Sequence, residues 1–355
     1  MKIIEKALLY PKNFIPSFKG VEVKGAFNPA AIRMPNGKIV LYVRVAEGFD
    51  MRSKTLKFPK IVSDKYDIEI EEIPNRRVLG KKEVIELPHD IVRLKTISHL
   101  RRVILDKTGF NVEEIDQKPI FTGIPSDGNY GVEDPRIVKI GDTYYMTYVS
   151  VSSTEDVSTA LAVSKDLKKW ERKGIIFRKQ NKDVVLFPEK INGKYVALHR
   201  PQGDFEFDGP SIWISHSDDM IHWGEEKNII EVRKSGFDVD RIGSGAPPFK
   251  TKKGWLLIYH GVKIVRGKRI YSTGATLLDL KNPEKVLARS PSNKPLFEPK
   301  YDYEKKGFEN NILFPTSIVQ ENKKNVLIYF GAADRVTSVK KVPLDHIFKN
   351  MEPVK

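Results

Sequence analysis

Apolar and polar positions alternate along most of this chain in short runs broken by Gly, Asn and Pro. That is the two-residue period of half-buried strands, not the 3.6-residue period of helices. One stretch shows the plan. Gly131-Val132-Glu133-Asp134-Pro135-Arg136 opens an apolar run to Ile140, Gly141-Asp142 turns it, and Tyr144-Tyr145-Met146-Thr147-Tyr148 returns. Proline removes a backbone donor and restricts the residue before it, so Asp134 is predicted at the mouth of a sheet. Four other segments repeat the arrangement: Asn28 to Arg44, Leu186 to Pro201, Gly243 to Gly261, and Asn311 to Asp334. Between them Ser164 to Trp170 recurs as Ser217 to Trp223, which reads as an outer turn used twice. Helical periodicity is confined to a short terminal stretch, Leu344 to Asn350.

Repetition decides the fold class. Pro135, Pro188, Pro248 and Pro315 recur every 53 to 67 residues, the spacing of four-stranded units with variable loops. Five units predict an all-β, five-bladed β-propeller, with residues 1–355 as a single catalytic domain. The interval from Pro29 to Pro135 is nearly twice a blade. The surplus, about residues 51–97, lacks the proline-led hairpin and is interrupted by Arg76-Arg77 and Lys81-Lys82. It is predicted as an insertion in the first blade, where covering the pocket, joining copies into a homo-oligomer and decorating the surface all stay open as roles.

Composition narrows the class further. Apolar residues make up 40%, enough for a substantial core, and cysteine is absent, which rules out disulfides and thiolate-bound metal. Met1 to Pro11 carries charge where a signal peptide needs an unbroken apolar stretch, and nowhere do about 18 apolar residues run together. A cytoplasmic protein without a membrane partner is expected. The net charge of +15 raises nucleic acid as a partner, yet the lysines are interleaved with acids, as in Lys165-Asp166-Leu167-Lys168-Lys169. That is the pattern of a solvated surface, and nucleic-acid binding is not expected.

In a propeller the inner strands present their ends to one axial pocket. The hairpin ends and adjoining loops supply Asn28, Arg44, Asp134, Arg136, Lys182, Glu189, His199, Arg200, Arg241, His260, Asn311 and Asp334. Several cations and a few carboxylates in one pocket suit an anionic substrate group plus one acid catalyst. The seven histidines show no metal-ligand spacing, Gly243-Ser244-Gly245 opens no helix, and no nucleophile elbow is present. No metal or organic cofactor is therefore expected.

Together these pieces resemble glycoside hydrolase family 130, the inverting β-mannoside phosphorylases and related mannosidases. The matching stretches are Glu133-Asp134-Pro135-Arg136, Asn181-Lys182-Asp183, Leu186 to Tyr195, His199-Arg200-Pro201, Gly254 to Gly261 and Gly331-Ala332-Ala333-Asp334. The resemblance implies a five-bladed propeller, in agreement with the repeat count. It implies Asp134 as general acid, relaying a proton through the sugar's 3-hydroxyl while inorganic phosphate attacks from the opposite face as co-substrate. Lys182, Arg200, Arg241 and His260 fall at phosphate-site positions, with Lys182 standing where relatives carry arginine. Asn28, Arg44, Asn311 and Asp334 match positions around the mannosyl unit, and Arg136, beside the acid, joins them as a substrate-binding candidate. Glu133 is expected to orient Arg136 or the strand end. The expected products are α-mannose 1-phosphate and a shorter mannoside, with the motif variants leaning to β-1,2 linkages.

Two alternatives stay in view. An inverting β-mannosidase would use Glu189 or another pocket acid as base to a water. A non-catalytic carbohydrate-binding propeller would turn nothing over.

Overall fold

A computed structural model describes residues 3–354 apart from 53, 76–83, 89–91 and 204–206. Five antiparallel sheets surround one axis as a five-bladed β-propeller. From the axis outward, the first blade orders Glu22–Arg33, Ile39–Gly48, Thr96–Leu105 and Val112–Ile115. The second orders Val132–Ile140, Thr143–Ser152, Asp156–Ser164 and Glu171–Phe177, and the third Asn181–Leu186, Tyr195–Pro201, Ile212–Ser217 and Gly224–Ile230. In the fourth, Arg241–Ser244 and Phe249–Thr251 share Gly254–Val265 as partner; Lys268–Leu278, Val286–Arg289 and Glu352–Pro353 follow. The fifth orders Leu313–Gln320, Asn325–Ala332 and Val336–Pro343, and its outermost strand is Ile4–Leu9 from the start of the chain. Sequence reading had not foreseen that closure.

Alternation along the strands puts an apolar row on each face of every sheet, so neighbouring blades pack face to face with a core between each pair. Leu41, Val43 and Val103 of the first blade meet Leu327, Tyr329 and Val339 of the fifth. Tyr42 and Leu100 meet Ile137 and Tyr148 of the second, and equivalent clusters fill the remaining gaps. Each fully buried aliphatic side chain contributes about 1.5–3 kcal/mol, so these five cores carry the ring. The twin turns behave as read. Ser164 and Ser217 Oγ each accept the backbone N–H three residues on, from Leu167 and Met220, both at 2.9 Å. The predicted terminal helix spans Leu344–Lys349.

The ladder between Ile39–Gly48 and Thr96–Leu105 is continuous to the pair Gly48↔Thr96, so the intervening residues leave the blade without breaking it. They form a hairpin, Thr55–Ile61 with Ile68–Pro74, and a second pairing, Val84–Glu86 with Val92–Leu94. Leu56, Phe58, Ile73 and Leu87 give this excursion a small core of its own. Arg76, Arg77, Lys81 and Lys82 lie outside the described residues. Among the described residues no helix is long and apolar enough to cross a membrane.

A buried polar cluster fastens the excursion to the first blade. Glu47, His99 and Arg101 are fully buried; Arg101 Nη2 donates to Glu47 Oε1 at 2.8 Å, and Ser17 N donates to Glu47 Oε2 at 2.9 Å. Burial holds His99 well below the usual imidazole range, so the ring is neutral. Arg101 Nε donates to its Nε2 at 2.9 Å, which leaves the ring proton on Nδ1, donated to Tyr66 Oη at 2.8 Å. Tyr66→Phe strands that buried N–H, and a loss of about 1–2 kcal/mol is expected in denaturant unfolding. An unchanged midpoint would mean that water fills the gap.

Candidate active site

One end of the propeller axis opens into a cavity of about 270 Å³. Each blade lines it with a residue in or beside its innermost strand and another in or beside the next. In blade order the pairs are Asn28 with Arg44, Asp134 with Val151, Asp183 with Arg200, Arg241 with His260, and Ile312 with Asp334. The antiparallel registers create these pairings: Phe27 lies opposite Arg44, Lys182 opposite Arg200, and Gly243 opposite His260.

A repeated backbone device aims three of these side chains. Asn28, Asp134 and Asp183 have φ of 47°, 47° and 56°, and each sits where the inner ladder slips register. Left-handed backbone at a residue with a Cβ costs on the order of 1 kcal/mol or more, so the surrounding sheet must impose it. The bulge rotates these side chains out of the alternation and puts them in the cavity wall. Close packing maintains the arrangement: a Cβ at residue 331 would lie 1.7 Å from Asn28 Oδ1, and one at residue 243 would lie 2.1 Å from Asp183 Oδ2.

Asp134 receives two hydrogen bonds, from Asn28 Nδ2 at 2.8 Å and Arg44 Nη1 at 3.1 Å, both on Oδ1. No hydrogen bond from a described residue reaches Oδ2. Burial alone would push this carboxyl up, but Arg44 and Arg136 beside it and the Asn28 bond outweigh it and hold it below the ordinary aspartate value. Arg44 also donates to Glu133 Oε1 at 2.6 Å and to Ser98 Oγ at 3.1 Å, and its guanidinium lies over the Phe27 ring. Glu133 therefore positions Arg44 and not Arg136, which corrects the first of the two roles expected for it.

The third and fourth blades bring the cations. Arg200 Nε stands 3.0 Å from Asp183 Oδ2, which is also 3.6 Å from His260 Nε2. Arg241 leans on Asp240 at 3.2 Å, and the Lys182 side chain makes no hydrogen bond or ion pair with a described residue. Burial drives the His260 pKa down to about 3 against the opposing pull of Asp183, so the ring is neutral. It packs against Phe314 and Tyr271.

Of the ten residues predicted for the site, eight line the cavity: Asn28, Arg44, Asp134, Lys182, Arg200, Arg241, His260 and Asp334. Arg136 and Asn311 do not. Arg136 is buried behind the wall, donating from Nε to Gly245 O at 2.6 Å and from Nη1 to Asp134 O at 2.9 Å, with its guanidinium over Phe314. Its neighbour Asp134 takes the bulge, which sends residue 136 the other way. Asn311 engages through its backbone, its carbonyl accepting from Tyr271 N at 3.0 Å, while Ile312 reaches the cavity. Two further pocket candidates are also absent from the wall. Glu189 pairs with Lys250 at 2.6 Å with its side chain 45% exposed, and His199 is buried against Phe177. Glu189 is thereby excluded as a base in the pocket.

Sequence reasoning missed Asp183, Tyr271 and the Leu94-Lys95-Thr96 return of the excursion, all of which line the cavity. The signal for Asp183 existed. It occupies in the third blade the place of Asn28 and Asp134, but without the proline that marks those two. Pro188 instead falls beyond its inner strand and Pro248 between the two inner segments of the fourth blade, so aligning blades by proline shifted the third by several residues. No group of three or more His, Asp or Glu residues able to hold a metal ion occurs among the described residues.

Comparison with known proteins sharpens the chemistry. The model of glycoside hydrolase family 130, described as beta-1,4-mannooligosaccharide phosphorylase, matches residues 101–353. A beta-1,2-mannobiose phosphorylase of Listeria innocua is 35% identical over 347 residues, 93% of this chain and 92% of that one. A 1,2-beta-oligomannan phosphorylase of Thermoanaerobacter is 41% identical over 247 residues, 69% of this chain and 78% of that one. The solved structure of the Listeria innocua beta-1,2-mannobiose phosphorylase in complex with beta-1,2-mannobiose superposes with a TM-score of 0.90 at 32% identity, covering 99% of each chain.

Proposed function

The chain belongs to glycoside hydrolase family 130, and from that premise we propose that its axial cavity carries out inverting phosphorolysis of β-mannosides. Inorganic phosphate is the co-substrate, and β-1,2-linked mannobiose or mannooligosaccharide is the favoured substrate. The observation that carries the reading is the convergence of Lys182, Arg200 and Arg241 on a cavity that holds Asp134. A hydrolase needs a second carboxylate to deprotonate water, whereas phosphate arrives as an anion and needs cations to seat it. The β-1,2 preference is supported by the names of the Listeria and Thermoanaerobacter relatives.

In this mechanism Asn28 and Arg44 hold Asp134 through Oδ1, leaving Oδ2 for the sugar. Before substrates bind, the neighbouring guanidiniums outweigh burial and keep the carboxyl ionised. A sugar seated over it removes water, and phosphate entering the cation cluster offsets the positive field, so both raise its affinity for a proton. Protonated Asp134 then donates to the mannosyl 3-hydroxyl, which passes its own proton to the glycosidic oxygen. The C1–O bond to the leaving sugar breaks as a phosphate oxygen bonds C1 from the opposite face. Hydrogen phosphate enters and the phosphate monoester leaves. The hydrogen carried in by phosphate is released to solvent, from which Asp134 recovers its own.

The test is direct. Purified protein is given β-1,2-mannobiose and β-1,4-mannobiose with and without phosphate, and mannose 1-phosphate is measured. Phosphate-dependent release from the β-1,2 isomer, at least tenfold faster than from the β-1,4 isomer, is expected. Free mannose formed at a rate indifferent to phosphate would replace the reading with hydrolysis.

A further inference from the structure

The cation cluster contains one group that a site for a simple anion would not want. Asp183 is 7% exposed, lines the cavity, and brings a carboxylate among Lys182, Arg200 and Arg241. Its Oδ2 lies within ion-pair distance of Arg200 Nε, yet the angle is not that of a hydrogen bond; both atoms are buried without a hydrogen-bond partner. His260 Nδ1, on a 1%-exposed residue, is a third orphan. Buried polar atoms left unsatisfied cost about 1–3 kcal/mol each. Asn28 Oδ1 is a fourth among the lining residues, but Asn28 is bonded to Asp134, whereas the other three belong to residues grouped around Asp183 and mark the place of an absent partner.

That partner must both accept and donate. Arg200 Nε offers a hydrogen and requires an acceptor. A carboxylate oxygen offers lone pairs and requires a donor. The fold spends strain to keep it there, since Asp183 holds φ 56° at its bulge and residue 243 must be glycine to clear Oδ2.

We propose that Asp183 selects a hydrogen-bearing oxyanion: the P–OH of hydrogen phosphate donates to Asp183 while its bare oxygens face the cations. The inference rests on the phosphorylase reading and adds a specificity to it. Sulfate is the discriminating control. It matches phosphate in shape and carries at least as much charge at neutral pH, so the cations alone would not reject it. With no hydrogen to give, it would set a bare oxygen against a buried carboxylate. Specificity of this kind, from a polar group left unpaired by the wrong ligand, is characteristically large.

Calorimetric titration of the intact protein at pH 7 with phosphate, arsenate and sulfate tests the inference. Phosphate and arsenate, both of which carry a hydrogen, are expected to bind at least tenfold more tightly than sulfate. In Asp183→Asn, whose amide can donate, sulfate is expected to gain at least tenfold relative to phosphate. Equal binding of sulfate and phosphate by the wild type would overturn the inference while leaving phosphorolysis standing. So would an unchanged preference in the folded variant. If the variant does not fold, the wild-type anion series decides alone. Absence of binding by phosphate and arsenate would remove the phosphorylase reading, and this one with it.

Discussion

Asp134→Asn is expected to lower kcat by about 10³-fold, the usual worth of a positioned acid, with the melting temperature close to that of the parent. The amide keeps the shape of the carboxylate, and its oxygen can still accept from Asn28 Nδ2 and Arg44 Nη1, so the wall stays in place. What disappears is the proton that Oδ2 would deliver. Arg44 loses one anionic neighbour but keeps Glu133 at 2.6 Å, which limits the cost to the fold. Mannose 1-phosphate release and a thermal melt together read the result. Activity above a tenth of the parent would move the acid role to another residue.

Arg200→Ala should raise the KM for phosphate by about 10²-fold while changing the KM for mannoside only a few-fold. One charge-assisted hydrogen bond to an anion is worth roughly 1.5–3 kcal/mol, which converts to a factor of about 10–150. The upper end is expected here, because the same change removes the cation beside Asp183 and leaves that carboxylate facing the incoming phosphate. Initial rates over a phosphate series at saturating mannoside check it. A phosphate curve that does not move would show that the anion sits elsewhere.

Much of this architecture is legible in the chain because hairpins announce themselves through period and turn chemistry. The twin Ser-to-Trp turns were readable since a serine capping a left-handed residue three positions on leaves a fixed spacing. The closing strand was not readable. Ile4–Leu9 looks like any other apolar run, and nothing local states that its partner lies more than 300 residues away. In the site, residue types pointed to the cavity where a regular ladder decides orientation, as for Arg44, Arg200 and His260. They also pointed there for Asn28 and Asp134, where a proline marks the bulge, and failed just past it. Arg136 is as polar as its neighbour, but whether it faces the cavity or Gly245 depends on a backbone torsion at Asp134. Asp183 shows the converse, a turn-like conformation without the proline that would have signalled it.

The seam of the ring has a consequence for synthesis. Ile4–Leu9 leaves the ribosome more than 300 residues before its partner, Val336–Pro343. Until the two meet, a nascent chain carries blades with open edges, which invite pairing with other chains. Asn28, on the first blade, rests against Gly331 of the fifth, so the wall around Asp134 needs the blade that this pairing completes. A chain that has made four good blades therefore has most of its fold and no working cavity. Catalytic competence arrives in one step, when the ends join, and enzyme activity in a refolding or translation mixture counts closed rings.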